Sequence, residues 1–274
     1  MGFYAPAQLV RDARAHGVEV RPVEAGHSDW ESTLEDGEDG PAVRLGLALV
    51  HGLSREGARR LVEARAAGSF ESVQTLASRA RLDRDDLTAL SAAGALAGLA
   101  GHRHRAAWRV TGVEKPLPLL PEPRIAEGLP LLRAPQEGED IVADYRALGL
   151  TLGRHPLALL RERLRDLGWM TAGELWDQPD GTAVRCGGIV VTRQRPGSAS
   201  GVTFVTVEDE TGSANLIVWR SLGDRQRRVL LGARLLEVRG SVQREGDVLH
   251  VVARRLEDRS MLLGALEARS RDFR

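Results

Sequence analysis

The segment His51-Gly52-Leu53-Ser54-Arg55 lies between two apolar-patterned stretches, and its residue types suit the holding of a phosphate by backbone amides. Gly52 lets the chain turn sharply. Ser54 is a helix-capping residue. Beyond it Ala58, Leu61 and Val62 share one side of a helix, while Arg55, Arg59 and Arg60 face solvent. This is the pattern of a helix-hairpin-helix. The unpaired amides that open the second helix, helped by the helix dipole, face an anion. Such contacts position a nucleic-acid backbone without reading its sequence. The candidate phosphate-binding residues are therefore Gly52, Leu53, Ser54, Arg55 and Arg59. The usual hairpin is glycine–apolar–glycine, and Ser54 replaces the second glycine, so a plain packing helix-turn-helix stays open beside phosphate binding.

A second constellation lies near the other end. Strand alternation runs through 184–193, 202–208, 214–219, 234–243 and 248–255, with one helix, 221–230, between the third and fourth strands. Five strands with a helix after the third is the order of an OB-fold barrel. Gly187-Gly188 lets the first strand bend, Asp209-Glu210-Thr211-Gly212 is a tight turn, and Gly246 with Asp247 turns the fourth strand into the fifth. On the second strand Val205 and Val207 point inward, and Phe204, Thr206 and Glu208 outward. An outward Phe204 is a platform on which a base can stack. Arg193, Arg195, Arg220 and Arg244 are the candidate phosphate contacts, and Phe204 and Thr206 complete the expected single-strand site. Residues 183–258 hold twelve arginines against nine acids, a mild excess of +3. Trp219, at the end of the third strand, reads as barrel core or domain contact.

The remaining elements set these two sites in order. Residues 6–16 read as a helix opened by Pro6 and closed by Gly17, and 18–23 as a short strand. The acidic stretch 29–40 lacks the ligand spacing of a calcium loop and reads as a solvated turn before a strand at 42–47. Residues 48–99 are helical in short pieces. The pair 72–80 and 82–90, stopped near Gly94, reads as a degenerate second hairpin. His102 and His104 are two apart, which does not place them on one helix face for zinc. Six prolines between 115 and 135 forbid a regular helix there. The expected domains are 1–41, tandem hairpins at 42–113, a Pro-rich linker at 114–136, a helical connector at 137–182, the barrel at 183–258, and a tail at 259–274 containing a short helix and a loose basic end. The fold class is α+β multidomain, a helical region followed by a five-stranded barrel.

Composition narrows the function classes. The 274 residues carry 38 basic and 38 acidic side chains, net zero, so charge alone does not announce a nucleic-acid binder. Lys115 is the one lysine; arginine enrichment follows from a GC-rich genome as readily as from phosphate binding. No apolar run approaches the roughly 20 residues of a membrane span, and the start has neither a basic segment nor an apolar core like a signal peptide. A cytoplasmic protein without membrane contact is expected. The lone Cys186 fits a buried apolar strand position, and no metal site is expected.

Several stretches, in this order, resemble the bacterial replicative polymerase alpha family, and its error-prone branch above all. Met1–Arg14 followed by Gly17–Pro22 is similar to the end of the fingers region. Arg44–Leu47 into Val50–Leu53 is similar to the entry of the tandem hairpin domain. Asp144–Leu150 with His155-Pro156-Leu157 resembles a Leu-Gly…His-Pro-Leu signature. Arg193–Gly197 and Phe204–Gly212 resemble the OB-fold, and Ser270–Arg274 the C-terminus. The resemblance implies the C-terminal part of a DNA-directed DNA polymerase acting in translesion synthesis and repair. Its hairpins would hold primer–template duplex and its barrel single-stranded template. The catalytic palm would lie upstream, and Mg2+ with it. No carboxylates here suit a two-metal site, so no catalytic residue, no cofactor and no polymerase activity is expected of this chain alone. Expected partners are DNA, lesion-tolerance accessory proteins and, through Pro116-Leu117-Pro118-Leu119-Leu120, a sliding clamp. The rival readings are a free-standing single-strand-binding repair module and a tRNA-binding OB appendage. A nuclease would need clustered carboxylates that are not visible.

Overall fold

The computed structural model describes residues 5–114, 131–197, 201–246 and 248–264, and the backbone of 271–273. The chain divides into two compact units, Met1–Gly153 and Arg154–Arg274.

The first unit is helical around a small sheet. It runs α1 (Pro6–Ala15), β1 (Val20–Arg21), β2 (Thr33–Gly37), β3 (Gly40–Arg44), α2 (Arg55–Ala66), α3 (Val73–Ala80), α4 (Arg84–Ala92), α5 (Ala97–Ala100), α6 (Arg103–Thr111) and α7 (Glu137–Leu148). The sheet has the order β1-β3-β2, with β1 parallel to β3. The acidic stretch folds mostly as the β2–β3 hairpin. Glu35 on it bridges Arg44 and Arg21, whose hydrogen bonds pull its carboxyl down to about 2. Val23 and Ala25 join Leu47, Leu61, Leu76, Leu90 and Leu96 in one core. Side-chain caps start the helices where the chain must turn: Ser54 for α2, Ser72 for α3 and Asp83 for α4.

The second unit is built on a barrel. A 3-10 turn at Pro156–Leu160 leads to α8 (Arg161–Asp166) and α9 (Ala172–Trp176). Then come β4 (Ala183–Gln194), β5 (Thr203–Asp209), β6 (Gly212–Val218), α10 (Arg220–Arg225), α11 (Arg227–Gly232), β7 (Leu235–Glu245) and β8 (Val248–Asp258). The strand order β5-β6-β8-β7-β4 closes through a further β5–β4 pairing, with β6 and β8 parallel. That is a closed five-stranded OB barrel. Inward Val205, Val207, Leu216, Val218, Leu236, Val238 and Val251 fill it. Gly187 and Gly188 sit where β4 passes from β7 to β5. A Cβ on Gly187 would strike the Leu236 carbonyl and Trp169, and one on Gly188 the backbone of Glu208, so the corner admits only glycine. Asp209 Oδ1 accepts the Thr211 and Gly212 amides, at 2.8 and 3.2 Å, and so shapes the β5–β6 turn.

Four expectations change. The connector expected at 137–182 divides: α7 packs on α4, and Arg103 pairs with Asp140 and Asp144, whereas the residues from Arg154 onward belong with the barrel. The single helix expected at 221–230 is broken at Gln226, whose side-chain amide pairs with both backbone groups of Leu256. The expected short helix of the tail is a 3-10 turn at Ser260–Leu263, and the end returns as β9 (Arg271–Phe273), parallel to β4. Glu208, expected to face outward into solvent, is buried, 3.6 Å from His155, because the His155-Pro156-Leu157 segment covers that end of β5. Most of the Pro-rich linker, the peptide Pro116–Leu120 expected to meet a clamp, and residues 198–200 of the first barrel loop lie outside the described residues.

Candidate nucleic-acid interface

The hairpin brings its five candidates together but uses them unequally. Gly52 has φ +87°, a left-handed conformation that suits glycine. Leu53 is buried in the core. Ser54 has φ −73°, ordinary extended backbone, so the turn itself does not require glycine there. Its hydroxyl accepts the Gly57 amide at 2.9 Å and closes the first turn of α2. The Ser54 amide is already taken, donating to Asp86 Oδ1 at 2.8 Å, and the Ser54 hydroxyl donates to Asp86 Oδ2 at 3.1 Å. Asp86 lies in the first turn of α4 and is buried, with Arg60 Nη2 3.8 Å away. One carboxylate thus ties the starts of two helices. A Cβ on Gly57 would collide with it, which is why the third helical position is glycine. Among the described residues, the amides of Gly52, Arg55 and Glu56 have no acceptor, so three donors of the hairpin remain available. Arg55 stacks at 5.8 Å over Trp30, which holds its guanidinium beside the turn. Arg59 is engaged by Glu56 and Glu63 on the exposed face of α2.

The barrel candidates separate more sharply. Phe204 is 36% exposed on the outer face, as its phase requires. The pairing register places Gln194, Phe204, Ile217, Val252 and Ser241 in one row across five strands. The next row is Thr192, Thr206, Asn215, His250 and Gln243. An aromatic and apolar row therefore runs beside a row of hydroxyls, amides and an imidazole. Thr206 Oγ1 lies 3.0 Å from Asn215 Oδ1 within it. His250 Nδ1 is buried and has no partner among the described residues. The sequence did not single out Asn215, Ile217, His250 or Gln243: the β5–β6 register sets the first two opposite Thr206 and Phe204, and only the β6–β8 and β8–β7 pairings bring in the others.

One arginine assignment is corrected, and Arg244, though exposed, is engaged by a neighbouring helix. Arg193 is 5% exposed and donates from Nε to the Leu230 carbonyl at 2.6 Å and from Nη2 to the Ala233 carbonyl. A bulge between Val190 and Thr192 reverses the strand phase and turns this side chain toward the end of α11. Arg244 donates to the Trp176 carbonyl at 2.5 Å and lies 6.0 Å from the Trp176 ring, so it ties β7 to α9. Arg195 and Arg220 do lie at the surface, both against Gly201. Trp219 is not barrel core: it is 54% exposed.

Cys186 is buried, and burial pushes its thiol up to about 12. Among the described residues no group of three or more His, Cys, Asp or Glu side chains is arranged to hold a metal ion. Nor is any described helix long and apolar enough to cross a membrane.

Fold and surface together define a chain of nucleic-acid-binding type, a helix-hairpin-helix unit followed by an OB barrel. Residues 17–106 match the model of the helix-hairpin-helix motif, and 184–259 that of the OB-fold nucleic acid binding domain. The whole chain is 58% identical to an error-prone DNA polymerase of Alkalilimnicola ehrlichii, of which it spans 27%, and 54% identical to one of Methylococcus capsulatus, of which it spans 28%. An error-prone DNA polymerase of Pseudomonas aeruginosa is 48% identical over the whole chain and 27% of its own length. The chain is thus similar along its whole length to the C-terminal part of error-prone DNA polymerases, and it spans about a quarter of the length of these relatives. Among solved structures, an asparaginyl-tRNA synthetase from Pyrococcus horikoshii overlaps 33% of this chain and 22% of its own at 22% identity, with a TM-score of 0.30. That overlap is too slight to bear on function.

Proposed function

We propose that this chain is the DNA-holding part of an error-prone DNA polymerase acting in translesion synthesis and repair in the cytoplasm. Single-stranded template crosses the outer face of the barrel, and the hairpin unit takes the sugar–phosphate backbone of duplex. The observation that carries this reading is the pair of rows across β4, β5, β6, β8 and β7. Phe204 and Ile217 offer a surface for base stacking, and Thr206, Asn215, His250 and Gln243 offer hydrogen-bonding groups beside it. Stacking on an aromatic tolerates any base, as a template holder requires. The available amides of Gly52, Arg55 and Glu56 support the hairpin contact, with Leu53 and Ser54 shaping the turn and Arg59 on the adjacent helix face. Arg195 and Arg220 are the barrel's phosphate contacts. Polymerisation needs the catalytic domain and its Mg2+, and lesion-tolerance proteins and a sliding clamp are further proposed partners.

Fluorescence anisotropy of a labelled single strand and a blunt duplex, each at low and moderate salt, tests the proposal. Salt-sensitive binding that favours the single strand is expected. Absence of binding to both at low salt would remove the DNA-holding role from this chain.

A further inference from the structure

Trp219 follows directly on β6 and continues its outward phase. Asn215 is exposed, Ile217 half-buried and Trp219 54% exposed, while the intervening Leu216 and Val218 are fully buried. Phe204 pairs with Ile217, so Trp219 stands one outward position beyond the Phe204 row, at the end of the strand. Its backbone is extended, with φ −61° and ψ 148°, and α10 begins at the next residue.

Two arginines meet at the same place. A Cβ on Gly201 would stand 3.2 Å from Arg195 Nη2 and 3.0 Å from Arg220 Cδ, so both side chains lie against the glycine that precedes β5. Gly201 has φ +85°, and the absence of its side chain leaves room for the pair. Arg220 faces Asp224 at 3.5 Å, but both side chains are more than half exposed, so the pairing leaves its charge available. The stretch 219–232 carries four arginines and one acid, which adds positive field at this end of the barrel. An exposed indole at the end of β6, with two arginine side chains against the glycine that leads into the paired strand β5, suits a base with its flanking phosphates.

We infer that Trp219, Arg195 and Arg220 form a second stacking and phosphate-clamping station, so that a single strand crossing the barrel is held at two stacked bases, on Phe204 and on Trp219. This rests on the proposal that the outer face binds single-stranded DNA. The second station sets the length of strand the barrel covers and gives the two arginines a defined task.

The test uses the full chain and oligothymidylates of increasing length, read by anisotropy. Trp219→Ala should weaken binding about tenfold on a strand of about twelve nucleotides. The loss should shrink on strands too short to reach both platforms, and Trp219→Phe should keep most of the affinity. The Arg195→Gln/Arg220→Gln double variant should flatten the logarithmic salt dependence by about 0.7 for each phosphate the pair neutralises. Thermal melting of each variant should match the parent, because all three side chains lie at the surface. If Phe204→Ala weakens binding while Trp219→Ala and the arginine double variant leave affinity and salt slope unchanged, the second station is refuted and the face stands. Equal losses in Trp219→Ala and Trp219→Phe would refute stacking there. A parent chain that binds no single strand removes both readings.

Discussion

Asp86 offers the sharpest test of how the hairpin is held. Its carboxylate accepts the Ser54 amide at 2.8 Å and the Ser54 hydroxyl at 3.1 Å, at 1% exposure. Hydrogen bonds to a charged acceptor are worth about 1.5–3 kcal/mol each. Asp86→Ala removes both bonds and deprives α4 of an acid in its first turn. A loss of about 3–4 kcal/mol is expected, or about 10 °C in melting temperature for a unit of this size. Asp86→Asn keeps one acceptor for the amide and should lose about half as much. The assay is urea unfolding of the full chain followed by ellipticity at 222 nm, which reports chiefly on the helical unit. In a double-mutant cycle with Ser54→Ala, the coupling should be about 1.5–3 kcal/mol, the share of the hydroxyl bond alone. A loss below about 1 kcal/mol in Asp86→Ala would show that this carboxylate does not join the two helices, and the account of Ser54 would fall with it.

Two further outcomes follow from the same geometry. Glu237 is fully buried between Arg185, Arg239 and Arg259. Burial pushes its pKa up, but hydrogen bonds from Arg185 and Arg259 outweigh that and lower it from 4.5 to about 2. Because the folded value is depressed, the stabilisation is present above pH 4.5 and is lost as pH falls toward 2. Acid titration of stability should therefore show the barrel weakening across that window, and Glu237→Gln should flatten the acid limb. Arg193→Ala should lower barrel stability by about 2–3 kcal/mol, read by hydrogen exchange of the barrel-strand amides, since it strips two buried carbonyls of their donor. Arg195→Ala should leave stability unchanged and reduce the salt dependence of DNA binding; the opposite pattern would reverse the two assignments.

The barrel was legible because alternation is strict in β5 and β6, and because Gly187-Gly188 and Asp209–Gly212 announce a corner and a turn by residue type alone. Phe204 could be placed outward from its phase, since Val205 and Val207 leave no other choice. What pattern could not supply was pairing across strands. Asn215, His250 and Gln243 are far apart in sequence and meet only through the register of β6, β8 and β7. Arg193 was misplaced because a single bulged residue reverses the phase of β4, and a bulge leaves no composition signal. The barrel-core reading of Trp219 failed because large aromatics at strand ends are more often buried, whereas here the next residue already begins α10. The hairpin showed its Gly52 and its Ser54 cap, but Asp86, 32 residues from Ser54, could not be assigned to the turn it fastens.

The central claim is that the outer face of the barrel holds single-stranded DNA by stacking. The most direct measurement is the affinity of the parent chain and of Phe204→Ala for one labelled single strand, across a salt series, with melting curves to confirm equal folding. The account predicts a loss of about five- to 150-fold in Phe204→Ala, from the roughly 1–3 kcal/mol that stacking of a base contributes, with the salt slope unchanged because every phosphate-binding arginine is kept. A folded Phe204→Ala that binds as tightly as the parent would contradict it.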